Sequence, residues 1–302
     1  MQKTVKQRTV QQTERTVRIV CTIVLSVIAV FWMIPVIWVL LNSFKTNAEF
    51  IQGYSNFNGR WEYFKAIFPQ SLNFSSYISL FTGEGVPTVA NIDRMIINSV
   101  IVSVSQTIIV LILTSTSAYA YERLNFKNGD TIFWGLFFIS LIPGSVSILP
   151  LFKICYALGW VNNINALIWP QVAGVMNIFL LRNFMKSIPK AMDEAARIDG
   201  AGSFAIYRLI ILPSIQSVLM VVALFAFRGA WNDYLWPTIV MNEPNNQTLT
   251  SGLALLKGQY DAAQWTNLLA STIISMIAPL LLYLCCQKYF LQGISVSASV
   301  KG

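Results

Sequence analysis

The sequence predicts an all-α, polytopic membrane protein with six transmembrane helices. Of its 302 residues, 55% are hydrophobic and 11% are charged, and the mean hydropathy is +0.58. Soluble domains are about 45–50% apolar and about 25% charged, so this chain has too few charged residues to cover a soluble globule. It also contains six windows of the length that crosses a bilayer as a helix, about 20 apolar residues each.

The first window, Ile19–Leu41, has no charged residue and follows a basic arm at 1–18. A cleavable signal peptide has an apolar core of about 7–15 residues and a small-residue cleavage site. This window is 23 residues long and no such site follows it, so it is predicted to remain as a membrane anchor. The other windows of one transmembrane domain, 19–287, are 95–120, 131–152, 164–182, 214–241 and 265–287.

The distribution of Lys and Arg predicts the orientation of these spans. Fourteen basic residues fall on the side of the termini and six on the other side. Because cytoplasmic loops carry the excess of Lys and Arg, both termini are expected in the cytoplasm. This places 42–92 outside the cell, and a loop at 183–213 and a tail at 288–302 in the cytoplasm. The net charge of +8 is therefore a topology signal, and no nucleic-acid-binding motif accompanies it.

The external segment at 42–92 is rich in aromatic residues set among polar ones. This composition favours a folded cap or short interfacial helices over a flexible linker. The aromatic residues are Trp61, Tyr63, Phe64, Phe68, Phe74 and Tyr77.

Several kinds of chemistry are absent from the sequence. The chain has no histidine, and its four cysteines lack the spacing of metal ligands, so no metal site and no catalytic residue is expected. The cysteines are interpreted as small buried hydrophobes. No GxxxxGK[ST] loop is present, so the chain is not expected to bind ATP in the P-loop manner.

The cytoplasmic loop carries the most informative pattern. Pro189 suits a first helical turn because its missing N–H would be unpaired there, and Gly200 suits the left-handed turn that ends a helix. Between them, Ala191, Glu194, Ala195 and Ile198 share one face at helical spacing. Small residues with one carboxylate allow close approach of another surface. An ordinary amphipathic connector explains the same spacing equally well.

Seven residues of this loop match the EAA signature of binding-protein-dependent ABC importer permeases. They are Glu194-Ala195-Ala196, Gly200, Ile210 and Leu212-Pro213. The chain also resembles the carbohydrate-uptake branch, and within it the second permease subunit of maltose-type and multiple-sugar importers. The further matching segments are Asn98-Ser99, Ala118–Phe126, Phe179–Phe184, Trp231–Pro237, Gly258–Tyr260 and Val300–Gly302.

This resemblance implies a type I ABC importer permease fold in the bacterial cytoplasmic membrane, embedded in lipid. It also implies a second homologous permease, two ATP-binding cassette ATPase subunits, an extracellular solute-binding protein and a sugar substrate. ATP and Mg²⁺ would be bound by the ATPases, so this chain needs no cofactor. The residues implied in ATPase coupling are Ala191, Glu194, Ala195, Ala196, Ile198, Asp199, Gly200, Leu212 and Pro213.

Arg228 is the basic residue within the fifth window. It lies roughly 16 Å into that span at 1.5 Å per residue, where a cation should not face lipid. Helical spacing places Trp231, Asn232 and Leu235 near its face and Asp233 well round the helix. Two interpretations remain open, a gate at the interface with the other permease or a ligand for the substrate. Asn98 joins Arg228, Trp231, Asn232 and Asp233 as a candidate pathway residue.

Two other transporter classes compete with a sugar importer. An ion-coupled secondary transporter normally carries several intramembrane carboxylates or inverted repeats, and three of the windows lack charges except near their ends. EAA loops also occur in ABC importer permeases for non-sugar solutes. The sequence leaves open which sugar is carried, and whether it is an acidic oligosaccharide.

Overall fold

Every regular element that the structure describes is helical, which confirms the predicted fold class. The structure is a computed structural model that describes residues 2–55, 66–83, 92–124, 126–259 and 264–299. The chain forms two compact units. The first comprises Met1–Ser79 with Tyr260–Ile273, and the second comprises Leu80–Gln259 with Ile274–Gly302.

The first unit is built on a long amino-terminal helix, α1, at Gln2–Ser43. Its part from Glu14 to Ser43 is long and apolar enough to cross a membrane, and none of its most apolar stretch is buried within this chain. Trp32, for example, is 74% exposed. Since apolar surface on this scale is unfavourable in water, α1 requires lipid or another protein around it.

The described part of the 42–92 segment contains two short helices, α2 at Asn47–Ser55 and α3 at Ser75–Thr82. This agrees with the predicted short helices, although Trp61, Tyr63 and Phe64 lie outside the described residues. Between α1 and α2, the buried Lys45 ammonium donates to Asn42 Oδ1 at 2.7 Å and to the Ala66 carbonyl. Burial lowers the pKa of Lys45 below its ordinary value, and Glu49 opposes that change.

The first long helix of the second unit is α4, at Ile92–Arg123. The next predicted span, 131–152, is a pair of helices, α5 at Gly129–Ser140 and α6 at Gly144–Ala157, bent by 98°. Pro143 lies in the break, and proline disfavours helical geometry in the residue before it. This window therefore contains two helices and a break instead of one continuous helix.

The fourth predicted span, 164–182, is also broken. A single turn, α7 at Asn165–Ile168, leads through a 3₁₀ turn at Trp169–Gln171 to α8 at Val175–Lys186. Pro170 and Gly174 lie within this interruption. The window consequently contains no continuous helix of spanning length.

The remaining helices form the 183–213 loop and occupy the fifth and sixth windows. They are α9 at Ala191–Ile198, α10 at Ser203–Ile206, a π-helical turn at Tyr207–Ile211, α11 at Leu212–Ser214, α12 at Gln216–Asn232, α13 at Leu235–Val240, a 3₁₀ turn at Pro244–Asn246, α14 at Leu249–Gln259 and α15 at Trp265–Ser299. The chain bends by 78° at the entry to α12, and the fifth window is divided again at Asp233.

By length and hydropathy, the described residues contain three continuous helices that could span a membrane and two bent helix pairs. If each bent pair is one span, the described residues contain five candidate spans, whereas the sequence predicted six. The continuous ones are Glu14–Ser43, Ile92–Arg123 and Trp265–Gln287. Because α8 has 12 residues, the fourth window does not qualify.

One hydrophobic core joins the 183–213 loop to the long helices of the second unit. It contains residues of α4, α8 and α12 and of the segment 206–215. Its buried members include Val110, Ala118, Tyr119, Leu181, Met185, Ile206, Ile211, Ile215 and Val222. The loop is therefore in direct contact with α4, α8 and α12.

Candidate functional site

Helix α9, which we call the coupling helix, has the boundaries that the sequence predicts. The Met192 amide donates to the Pro189 carbonyl at 3.2 Å as the helix begins. At its end Gly200 has φ of +85°, a left-handed conformation that glycine adopts without strain. The Ala201 amide donates back to the Ala196 carbonyl at 2.9 Å and closes the turn.

The outer face of the coupling helix is uncovered. Ala191, Glu194, Ala195 and Asp199 are exposed, and Ile198 is 87% exposed. Glu194 forms no ion pair with any residue that the structure describes. Of the other predicted coupling residues, Ala196 and Leu212 pack against the core and Pro213 is exposed. An apolar side chain and a free carboxylate thus lie side by side on an open surface.

The inner face of the coupling helix holds a residue that the sequence did not single out, Asp193. Its Oδ2 lies 3.2 Å from Nη1 of Arg123, and both side chains are almost fully buried. Arg123 Nη2 also donates to the carbonyls of Met185 and Ile188, both at 2.8 Å. The signal visible in the sequence was a charge just after the second apolar window and an acid in the predicted helix of the 183–213 loop.

A second buried arginine, Arg182, lies on α8. It pairs with Glu122 at 3.2 Å and with Asp130. Its guanidinium carbon is 4.6 Å from the centre of the Phe133 ring, which adds a cation–π contact. This network fastens α4, α5 and α8 to one another.

Two tyrosines hold the second half of the 183–213 loop. The Tyr119 hydroxyl donates to the Ser203 carbonyl at 2.9 Å, and the Tyr207 hydroxyl lies 2.8 Å from Ser115 Oγ. The two rings are 5.3 Å apart. Both halves of the loop are therefore attached to α4.

A cavity of about 660 Å³ opens beside Arg228. Its lining combines hydroxyl, amide and aromatic groups with two charges, Arg228 and Asp233. The residues are Gly144, Ser145, Ser147, Ile148, Leu151, Gln171, Phe225, Arg228, Gly229, Asn232, Asp233, Leu235 and Trp236. Asp233 Oδ2 accepts a hydrogen bond from Gln171 Nε2 at 2.7 Å. Arg228 is exposed and has no ion-pair partner among the described residues.

The structure separates the candidate pathway residues into two groups. Arg228, Asn232 and Asp233 line the cavity, but Trp231 is 2% exposed and its indole N–H donates to the Ser275 carbonyl at 3.0 Å. Trp231 therefore packs against α15 and does not line the cavity. Asp233, a candidate pathway residue that helical spacing placed away from Arg228, lines the same cavity because α12 ends at Asn232 and Asp233 is extended.

Asn98 also lies apart from the cavity. Its amide donates to the carbonyls of Asn245 and Gln247, at 2.9 and 3.0 Å, and so holds α4 to the turn before α14. Among the described residues, no group of three or more His, Cys, Asp or Glu is placed to bind a metal. Cys155 and Cys286 are buried as predicted, whereas Cys21 and Cys285 are exposed.

Replacing Asn98 by alanine should destabilise the protein by about 0.5–1.5 kcal/mol, because two partly exposed carbonyls lose their donor. The measurement is the apparent melting temperature of the purified protein. Asn245→Ala, which keeps the main-chain carbonyl, is the matched control and should melt like the wild type. An unchanged melting temperature for Asn98→Ala would contradict the structural role.

Comparison with known proteins places these features in context. The family model described as "Binding-protein-dependent transport system inner membrane component" matches residues 120–296. The chain is 30% identical to the arabinooligosaccharides transport system permease protein of Halalkalibacterium halodurans, over 93% of this chain and 95% of that protein. It is 28% identical to the trehalose/maltose transport system permease protein of Thermococcus litoralis, over 94% and 96%.

A solved structure has a similar fold. It is a crystal structure of a bacterial ABC transporter involved in the import of the acidic polysaccharide alginate, and the superposition has a TM-score of 0.73 at 22% identity. The match covers 92% of this chain and 98% of that one. The range matched by the family model includes Arg123, the coupling helix and the whole cavity lining.

Proposed function

The chain belongs to the family of binding-protein-dependent transport system inner membrane components, and from this membership we propose that it is the permease subunit of an ATP-driven sugar importer. The predicted resemblance to carbohydrate-uptake permeases is confirmed. The chain is a membrane transport component and not an enzyme. In the proposal it lies in the bacterial plasma membrane with both termini in the cytoplasm.

A carbohydrate is the proposed cargo, delivered by an extracellular binding protein. The relatives are permeases for arabino-oligosaccharides and for trehalose or maltose, and the structural neighbour serves alginate import. The observation that carries the proposal is the cavity beside Arg228, whose volume of about 660 Å³ falls in the range of ligand sites. Its amides, hydroxyls and aromatic rings suit sugar hydroxyls and sugar faces.

The charge of this cavity extends the proposal to acidic oligosaccharides. Asp233 is occupied by Gln171 at 2.7 Å, whereas Arg228 has no anionic partner among the described residues. A carboxylate on the sugar would supply that partner through charge-assisted hydrogen bonds. The competing role for Arg228 is a gate that pairs with the second permease.

Two uncovered surfaces support the proposed partners. The open face of the coupling helix, with Glu194 and Ile198, would seat in a cleft of an ATPase subunit, and those subunits would bind ATP and Mg²⁺. The unburied stretch of α1 would meet lipid and the second permease. Alternating access follows if the ATPases move the coupling helix, because the core beneath it contacts α4, α8 and α12.

The substrate class is tested with the binding protein that serves this permease. We expect neutral or acidic oligosaccharides to raise its melting temperature, because a ligand that binds only the folded state stabilises it. Amino acids and peptides are the controls and should leave the temperature unchanged. Stabilisation by a control solute and by none of the sugars would contradict the proposal.

A further inference from the structure

Two consecutive carboxylates of the coupling helix differ in burial and in their partners. Glu194 is exposed and has no ion-pair partner in the described ranges, whereas Asp193 is buried 3.2 Å from Arg123. Neighbouring residues of a helix are separated by about 100°, so one helix presents one charge outward and one inward. Among the residues that the structure describes, Asp193 forms the only ion pair between the coupling helix and another segment.

Arg123 joins three segments through one guanidinium group. It is the last residue of α4, its Nη2 donates at 2.8 Å to the carbonyls of Met185 and Ile188, and its Nη1 faces Asp193. Carbonyls in the last turn of a helix lack helical N–H partners, so Arg123 also closes the end of α8. The ion-paired side chains of Arg123 and Asp193 are 2% and 10% exposed.

We propose that Arg123 and Asp193 are positioning residues for energy coupling, which we call the Arg123 clamp. They fix the coupling helix to the end of α4, so that a displacement of that helix moves α4 as well. This proposal rests on the proposed function, because the displacement is attributed to ATPase subunits. From α4 the movement has a direct route to the cavity, since Val110 and Ala118 of α4 share a core with Val222 of α12, the helix that carries Arg228.

The chemistry of the clamp suits this task better than the apolar contacts beside it. Hydrophobic contacts are non-directional, so a helix resting on them alone can slide. Arg123 donates two directed hydrogen bonds to carbonyls through Nη2, and it holds the Asp193 carboxylate by a buried ion pair at 3.2 Å in which Nη1 makes no hydrogen bond with any described residue. Water and salt screen a buried pair less than an exposed one. Neutralising Asp193 leaves the Arg123 charge buried without its partner, which is strongly unfavourable, and the coupling helix loses its fixed position.

The neighbouring arginine network supplies a matched control. Arg182 pairs with Glu122 at 3.2 Å, and these side chains are 9% and 10% exposed. The burial and the chemistry resemble those of the clamp, but neither residue lies on the coupling helix. Glu122→Gln therefore removes an equivalent buried charge without releasing that helix.

The first test uses the complete transporter in proteoliposomes, with binding protein outside and ATP available to the ATPases. We expect Asp193→Asn to lower the number of sugar molecules carried per ATP by about five-fold or more, the lower end of measured couplings between sites. Asp193→Glu should restore that ratio, and Glu122→Gln should keep it. A purely structural role would lower uptake and hydrolysis in proportion. A wild-type ratio in Asp193→Asn, or an equal fall in Glu122→Gln, would overturn the clamp.

The second test does not depend on transport. Spin labels at Thr116 on α4 and Ile198 on the coupling helix, both exposed, report the distance between the two helices in the purified full-length chain. The four native cysteines are replaced first. Asp193→Asn should broaden the distance distribution, and Glu122→Gln should leave it unchanged. An unchanged distribution in Asp193→Asn overturns the clamp, whereas broadening in a chain that supports no ATP-dependent uptake overturns only the proposed function.

Discussion

Gly200→Val should prevent stable association of the permease with its ATPase subunits and lower uptake by about ten-fold or more, equivalent to at least about 1.4 kcal/mol of docking energy. Gly200 has φ of +85°, and a Cβ there would meet no atom within 4 Å. The cost is therefore backbone strain, about 1–2 kcal/mol for an ordinary residue and more for a β-branched one. The strained turn would reorient the coupling helix.

Gly200→Asn is the matched control, because asparagine tolerates the left-handed region. It should retain most of the ATPase that co-purifies with the wild type. Glu194→Lys tests the same surface by charge, since Glu194 is exposed and a substitution there should barely change folding stability. If Gly200→Val and Glu194→Lys both co-purify with the ATPases and respond to loaded binding protein as the wild type does, the docking role is wrong.

Arg228→Gln should reduce uptake of an acidic oligosaccharide by about ten-fold or more while sparing a neutral one. The loss of one charge-assisted contact is worth about 1.5–3 kcal/mol, which corresponds to that change in rate. Arg228→Lys keeps the charge without the planar fork and should give an intermediate result. The measurement is competitive uptake of the two sugars, with basal ATP hydrolysis recorded in parallel.

The same experiment distinguishes the two roles of Arg228. As a ligand, its removal affects the acidic sugar selectively and leaves basal hydrolysis unchanged. As a gate that pairs with the second permease, its removal lowers uptake of both sugars equally and raises basal hydrolysis. Equal loss with raised hydrolysis would contradict the substrate role. Arg208→Gln is the control, because Arg208 is an exposed arginine away from the cavity.

Local rules predicted the coupling helix well. The proline at 189, the helical spacing of Ala191 and Glu194, and the left-handed Gly200 are properties of adjacent residues, and the structure has them as expected. The ion pair between Arg123 and Asp193 joins positions 70 residues apart, so no local pattern contains it. A charged residue that ends an apolar window, followed by an acid in the coupling helix, is the signal that one sequence offers.

Hydropathy predicted where apolar segments lie but not whether they are straight. Pro143 and Pro170 were visible in the third and fourth windows, and both mark the breaks. Averaging over about 20 residues conceals such interruptions, because proline costs little hydropathy while removing a backbone donor. Helical spacing likewise misplaced Asp233, because the prediction continued α12 beyond Asn232, where the helix ends.

The central claim, that this chain is the permease of an ATP-driven sugar importer, is tested most directly by uptake into proteoliposomes that contain the assembled transporter. We expect uptake of a labelled oligosaccharide that requires both ATP and binding protein and that persists after the proton gradient is collapsed. Uptake that continues without ATP and stops when the gradient is collapsed would contradict it and would indicate an ion-coupled transporter.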